Sequence, residues 1–113
     1  MLRPAGIYAE IKSQPPLMRD EAGHKYVGRE VEWLVTFANG WESEGQAHLS
    51  FCVEPHVISM VKGTVSLADY PWLKSLRADA VVRVRGRIRR VESMTIELDK
   101  LELGLPETAA LRG

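Results

Sequence analysis

The chain has 113 residues, 45% hydrophobic and 27% charged, with fifteen basic side chains balanced by fifteen acidic ones. That length buries one core and not two, and the composition excludes a disordered chain. At a formal net charge of zero no overall positive field draws in polyanions, so any contact with nucleic acid must come from a local patch.

The single cysteine, Cys52, excludes an internal disulfide and fits a reducing compartment, so the expected location is the cytoplasm. Pro4, Gly6 and Glu10 interrupt the apolar run that a signal peptide requires. No apolar stretch is long enough to cross a membrane as a helix, and no membrane partner is expected.

The first elements are helical. In "PAGIYAEIKSQ", Ile7 and Ile11 lie one turn apart and Pro4 suits a helix start. Pro15 and Pro16 end that segment, and "LMRDEAGHKY" predicts a further short helical turn with Leu17, Met18 and Tyr26 turned inward. From Gly28 the apolar period becomes two. "REVEWLVTF" places Val31, Trp33, Val35 and Phe37 on one face of a first strand. Asn39-Gly40 is a turn signal, with Gly45 closing the loop. "QAHLSFCVE" is a second strand with Ala47, Leu49, Phe51 and Val53 inward, ended by Pro55. "HVISMVKGTVSL" is a third, bent near Gly63. "DYPWLKSLRAD" reads as a short helix opened by Pro71. "AVVRVRGRIRR" and "MTIELDKLEL" are strands four and five, joined by a tight turn around "VES".

Five strands with a short helix between the third and fourth is the layout of an OB-fold, a small Greek-key β-barrel whose helix plugs one end. Gly63 and Gly86 suit the bends that a small closed barrel needs. The expected class is therefore mainly β, a five-stranded OB-fold with an N-terminal helical extension. Residues 1–27 form the extension, 28–104 the barrel and 105–113 a flexible tail. The stretch "DYPWLKSLRADAVVRVRGRIRRVESMTIELDKLEL", together with "YVGREVEW", resembles bacterial OB-fold domains of the tRNA-anticodon-binding type. The likeness spans about Tyr26 to Leu103 and rests on barrel construction. It implies a binding module, often for nucleic acid, although such domains also bind proteins or serve as accessory domains.

The stretch that carries a functional question is "VRVRGRIRR". With Val82, Val84 and Ile88 inward, Arg83, Arg85, Arg87 and Arg89 face out, followed by Arg90. Across the "VES" turn, core-to-core pairing allows two registers. One sets Arg87 against Glu97 and Arg85 against Asp99; the other sets Arg89 against Glu97 and Arg87 against Asp99. Either leaves Arg83, Arg90 and one further arginine without a carboxylate. The row is a partly neutralised strand face or a grip on phosphate, for which the planar guanidinium is well suited.

Trp33 belongs to the core and Trp72 seals the barrel end beside the helix. Trp41, in "NGWESEG", is a large ring in a loop, either folded back over the rim or available for stacking. Glu42 and Glu44 beside it favour a protein partner over a phosphate backbone. His48, Cys52 and His56 are spaced like helical metal ligands, but on a strand four residues span about 13 Å, too far to converge on one ion. No metal and no cofactor is expected. There is no phosphate-binding glycine loop, "VKGTVS" being too short for one, and no nucleophile context, so the chain is not expected to be an enzyme. The leading expectation is binding of single-stranded DNA or RNA, or another polyanion. Arg83, Arg85, Arg87, Arg89, Arg90 and Lys62 supply charge, and Trp41 stacks on bases. The alternative is a protein-interaction or self-association domain using Trp41, its acidic neighbours or the N-terminal segment.

Overall fold

In the computed structural model the described residues are 3–53, 60–92 and 94–105. Five strands close into a barrel: β1 (Glu30–Ser43), β2 (Gln46–Cys52), β3 (Met60–Ser66), β4 (Val81–Val91) and β5 (Thr95–Gly104). Around the barrel the order is β1-β2-β3-β5-β4. All neighbours are antiparallel except β3 and β5, which run parallel. The order requires β1 to serve two neighbours. Its first half pairs with β4 up to Thr36–Val81, and its second half pairs with β2 from Thr36–Cys52 onward.

The core is the set that period two selects. Val31, Trp33 and Val35 of β1 meet Ala47, Leu49 and Phe51 of β2, Val61 and Val65 of β3, Val82, Val84 and Ile88 of β4, and Ile96 and Leu98 of β5. Gly63 and Gly86 face inward where β5 comes close. A Cβ on Gly86 would lie 2.9 Å from the Asp99 carbonyl oxygen, and one on Gly63 would lie 2.6 Å from Leu101 Cδ2. At Gly86 it is the β5 backbone itself that demands glycine, whereas at Gly63 the near neighbour is the tip of the Leu101 side chain.

Two helices cover the barrel ahead of β1: α1 (Pro4–Ser13) and α2 (Arg19–His24), linked by a 3-10 turn over Pro16–Met18. Ile7, Tyr8 and Ile11 are buried, and the Tyr8 hydroxyl donates to the Met60 carbonyl at 2.5 Å. Burial pushes that hydroxyl's pKa well above the usual tyrosine value, so it remains a donor. Tyr26 is buried as expected, but Leu17 is 96% exposed and Met18 half exposed. The reason lies in Gly23. Its Cα packs so tightly on Val91 that a Cβ would sit 2.9 Å from the Val91 carbonyl oxygen. With that face of α2 against β4, the 3-10 turn before it carries Leu17 outward.

The segment between β3 and β4 is helical, as two 3-10 turns, Leu67–Asp69 and Pro71–Ser75. Pro71 opens the second turn, and by Leu76 the backbone is extended again, which leaves no length for an α-helix. Leu73 is buried, with Trp72 partly buried against the core and edge-on to Tyr70. Asn39-Gly40 does not make the first hairpin turn. The turn is at Glu44 and Gly45, both with positive φ (53° and 79°), the requirement of a two-residue type I′ hairpin. Asn39 and Gly40 remain in β1 beyond a bulge that follows Phe37. His56, Pro55, the start of the expected third strand and nearly all of the expected flexible tail lie outside the described residues.

Candidate nucleic-acid interface

The arginine row runs down the outside of β4, with β1 on one flank and β5 on the other. The β4–β5 register sets Arg87 opposite Asp99, the second of the two arrangements that the sequence allows. Arg87 grips Asp99 with two parallel hydrogen bonds, Nε to Oδ1 at 3.2 Å and Nη2 to Oδ2 at 3.1 Å. That contact holds the Asp99 carboxyl below its ordinary value, and Asp99 in turn raises the guanidinium. Arg89 lies 3.5 Å from Glu97, Arg85 3.7 Å from Glu102 and Arg90 3.3 Å from Glu92. On the other flank Glu30 is level with Arg87 and Glu32 with Arg85.

The row is therefore more neutralised than the sequence suggests. Arg85 and Arg90, expected to lack carboxylates in this register, both have them. Two bulges explain this. An extra residue in β5 at Lys100, with φ of 52°, brings Glu102 opposite Arg85. An extra residue in β4 at Arg89 leaves Arg89 and Arg90 both exposed and returns Val91 to the core. Of the five arginines, only Arg83 makes no ion pair among the described residues.

Trp41 and Lys62 lie elsewhere. Trp41 is in the second half of β1, paired with His48 of β2. It is not a loop residue. Its ring stacks on the His48 imidazole, centroids 4.1 Å apart and planes 20° from parallel, and remains 62% exposed. His48 Nδ1 is within hydrogen-bond distance of Thr64 Oγ1, at 3.1 Å, so Trp41, His48 and Thr64 form one row across three strands. The adjacent row is Asn39, Ser50 and Lys62, with Lys62 level with Glu97 beyond it. Lys62 is exposed and makes no ion pair among the described residues. This outer face thus carries a flat aromatic pair, small hydroxyl and amide side chains and one lysine. Beside Trp41, toward the barrel end, a cleft of about 260 Å³ is floored by Phe37, Leu49, Leu67, Leu73 and Leu76, with Glu42 and Lys74 also lining it.

The expected site residues accordingly fall into two groups. The arginines share β4, while Trp41 and Lys62 share the β1–β2–β3 face; Trp41 lies on the half of β1 beyond its pairing with β4, and β5 intervenes between Lys62 and the row. His48 is the residue that sequence reasoning assigned no binding role. Its place under Trp41 follows only from a turn at Glu44 and Gly45, which fixes the hairpin register. Cys52 is a free, half-buried thiol, and among the described residues no cluster of three metal-ligating side chains exists.

By sequence, no family model and no curated protein matches the chain. Solved structures do. A Klebsiella pneumoniae lipoprotein to which nucleic-acid binding is ascribed superposes with a TM-score of 0.66 over 88% of this chain and 87% of its own, at 13% identity. The chain is an OB-fold. An OBody, AM1L10, bound to hen egg-white lysozyme gives a TM-score of 0.54 at 12% identity, covering 74% of this chain and 86% of the other. The asparaginyl-tRNA synthetase of Pyrococcus horikoshii gives 0.51 at 16% identity, covering 70% of this chain and 20% of the synthetase. The resemblance to the OB-folds of anticodon-binding type holds at the level of fold.

Proposed function

We propose that this OB-fold is a non-catalytic module that binds single-stranded nucleic acid across its β1–β2–β3 face. The observation that carries the reading is the exposed Trp41–His48 stack. A ring backed by an imidazole loses little freedom when a base stacks on its open side, and such contacts contribute about 1–3 kcal/mol per base. Lys62, one row away and without an ion pair among the described residues, is placed to meet a phosphate. OB-folds commonly bind oligonucleotides on strands two and three and the adjoining loops, and His48 on β2 and Lys62 on β3 lie there, with Trp41 stacked on His48 from the neighbouring β1. The lipoprotein of similar fold, with nucleic-acid binding ascribed to it, supports the same reading. In this account the β4 arginines act as a ladder first, and Arg83 is the member most open to a phosphate. Fluorescence anisotropy of labelled mixed-sequence DNA and RNA tests the division. Trp41→Ala and Lys62→Glu each weaken binding about tenfold or more, whereas Arg85→Glu/Arg87→Glu weakens it less.

The second reading is a protein interface on the same face. Glu42 follows Trp41 on β1 and Glu44 stands in the hairpin turn just beyond, and an OB-fold of similar structure, the OBody, is seen bound to a protein. Binding that is indifferent to salt and to Lys62→Glu would favour it.

A further inference from the structure

The two-neighbour role of β1 leaves part of it with a neighbour on one side only. From Asn39 to Ser43 it pairs with β2, but its pairing with β4 ends at Thr36–Val81, and the last backbone bonds on that side are Phe37 N to Ala80 O and Asp79 N to Phe37 O. Ser43 and Gln46 flank a two-residue turn and form the closing hydrogen-bonded pair. Antiparallel alternation then directs Trp41 and Asn39 toward β2, and turns the N–H and C=O of Gly40 and Glu42 away from it. The Gly40 N–H is taken by the Asn39 carboxamide, its Oδ1 accepting at 2.8 Å. Among the described residues no bond occupies the Gly40 carbonyl or either backbone group of Glu42. A short free strand edge therefore borders the apolar cleft floored by Leu73 and Leu76.

We propose that this edge, centred on Trp41, pairs antiparallel with the same edge of a second copy of the chain. The partner fits because the edge is complementary to itself. With Trp41 on the two-fold axis, Gly40 of one copy faces Glu42 of the other, and each such pair exchanges both of its N–H···O bonds. Glycine opposite glutamate leaves room for the longer side chain. Glu42 of the incoming strand enters the cleft of its neighbour, where Lys74 lies and makes no ion pair among the described residues. Trp41 leans over His48, clear of the seam, so the two rings extend one outer face instead of blocking the junction. With zero net charge, two copies do not repel one another. Asn39 gives up the Gly40 N–H on pairing.

Sedimentation velocity of the whole chain from nanomolar to millimolar concentration tests this. The expected result is a reversible monomer–dimer equilibrium. Glu42→Pro, which removes an edge N–H, raises the dimer dissociation constant at least about tenfold while far-UV circular dichroism is unchanged. Because proline at Glu42 can disturb the hairpin, Glu42→Lys and Lys74→Glu serve as a second test. Each alone weakens the dimer, and the double variant restores it. A monomer at every concentration overturns the proposal. So does a dimer that neither Glu42→Pro nor the charge exchange affects, since another surface then holds it.

Discussion

Arg87 and Asp99 face each other across β4 and β5 and share two parallel hydrogen bonds of 3.2 and 3.1 Å. This pair sets the character of the arginine row. A guanidinium already committed to a carboxylate presents a weaker field to phosphate, and its neighbours Arg85, Arg89 and Arg90 are similarly engaged. The row therefore closes the barrel between β4 and β5 more than it advertises charge. The salt dependence of nucleic-acid binding should accordingly correspond to a few phosphates, about one to three, instead of the five that the arginine count invites. A plot of log affinity against log salt concentration checks this, and a slope steeper than about −3 would return the row to the interface.

Acid stability should bear the mark of the same pair. Arg87 holds the folded Asp99 below its ordinary value, and a hydrogen bond from Lys25 does the same for Glu10. The stabilisation from a depressed carboxylate is fully present above the unfolded value and is lost as pH falls through the folded one. The melting temperature should therefore drop on the acid side of about pH 4. Asp99→Asn and Glu10→Gln should each flatten that drop, as thermal melts between neutral pH and pH 2 can read.

Gly86 and Gly6 should respond oppositely to alanine. At Gly86 the new methyl meets the Asp99 carbonyl at 2.9 Å, backbone that cannot step aside, so Gly86→Ala should cost about 1–3 kcal/mol. At Gly6, in the third position of α1, nothing lies within 4 Å. Gly6→Ala should stabilise by up to about 1 kcal/mol through helix propensity. Urea midpoints of the two variants give both signs.

Tyr8 ties the N-terminal helix to the barrel through its 2.5 Å bond to the Met60 carbonyl. Tyr8→Phe keeps the ring but strands that acceptor, at a cost of about 1 kcal/mol. The melting point should fall by roughly 4 °C. A loss too small to measure would mean that water replaces the hydroxyl without penalty.

The barrel was legible because each strand alternates. Val82, Val84 and Ile88 on β4, and Ile96 and Leu98 on β5, were identifiable as core from period two alone. What alternation does not encode is an extra residue. Arg87–Asp99 and Arg89–Glu97 are the pairs of the second register that the sequence allows, but the bulges at Lys100 and Arg89 gave Arg85 and Arg90 carboxylates as well. The bulge after Phe37 lies where the sequence marks the end of β1. A strong local turn signal lost there to Glu44 and Gly45, whose positive φ pair closes a tighter hairpin. Trp41 consequently moved from a loop onto a strand, and His48 gained a role. Leu17 misled for a different reason. Its apolar side chain suggested burial, but the tight seat of Gly23 on Val91 decided the orientation of that segment.

The central claim is that single-stranded nucleic acid lies on the β1–β2–β3 face with Trp41 as its platform. Amide and indole NMR shifts of the labelled chain, followed while a short mixed-sequence oligonucleotide is added, test it most directly. The account predicts that the largest shifts fall on Asn39, Trp41, His48, Ser50, Lys62 and Thr64, with the Trp41 indole N–H foremost. Shifts concentrated instead on β4 from Arg83 to Arg90, with Trp41 unmoved, would contradict it.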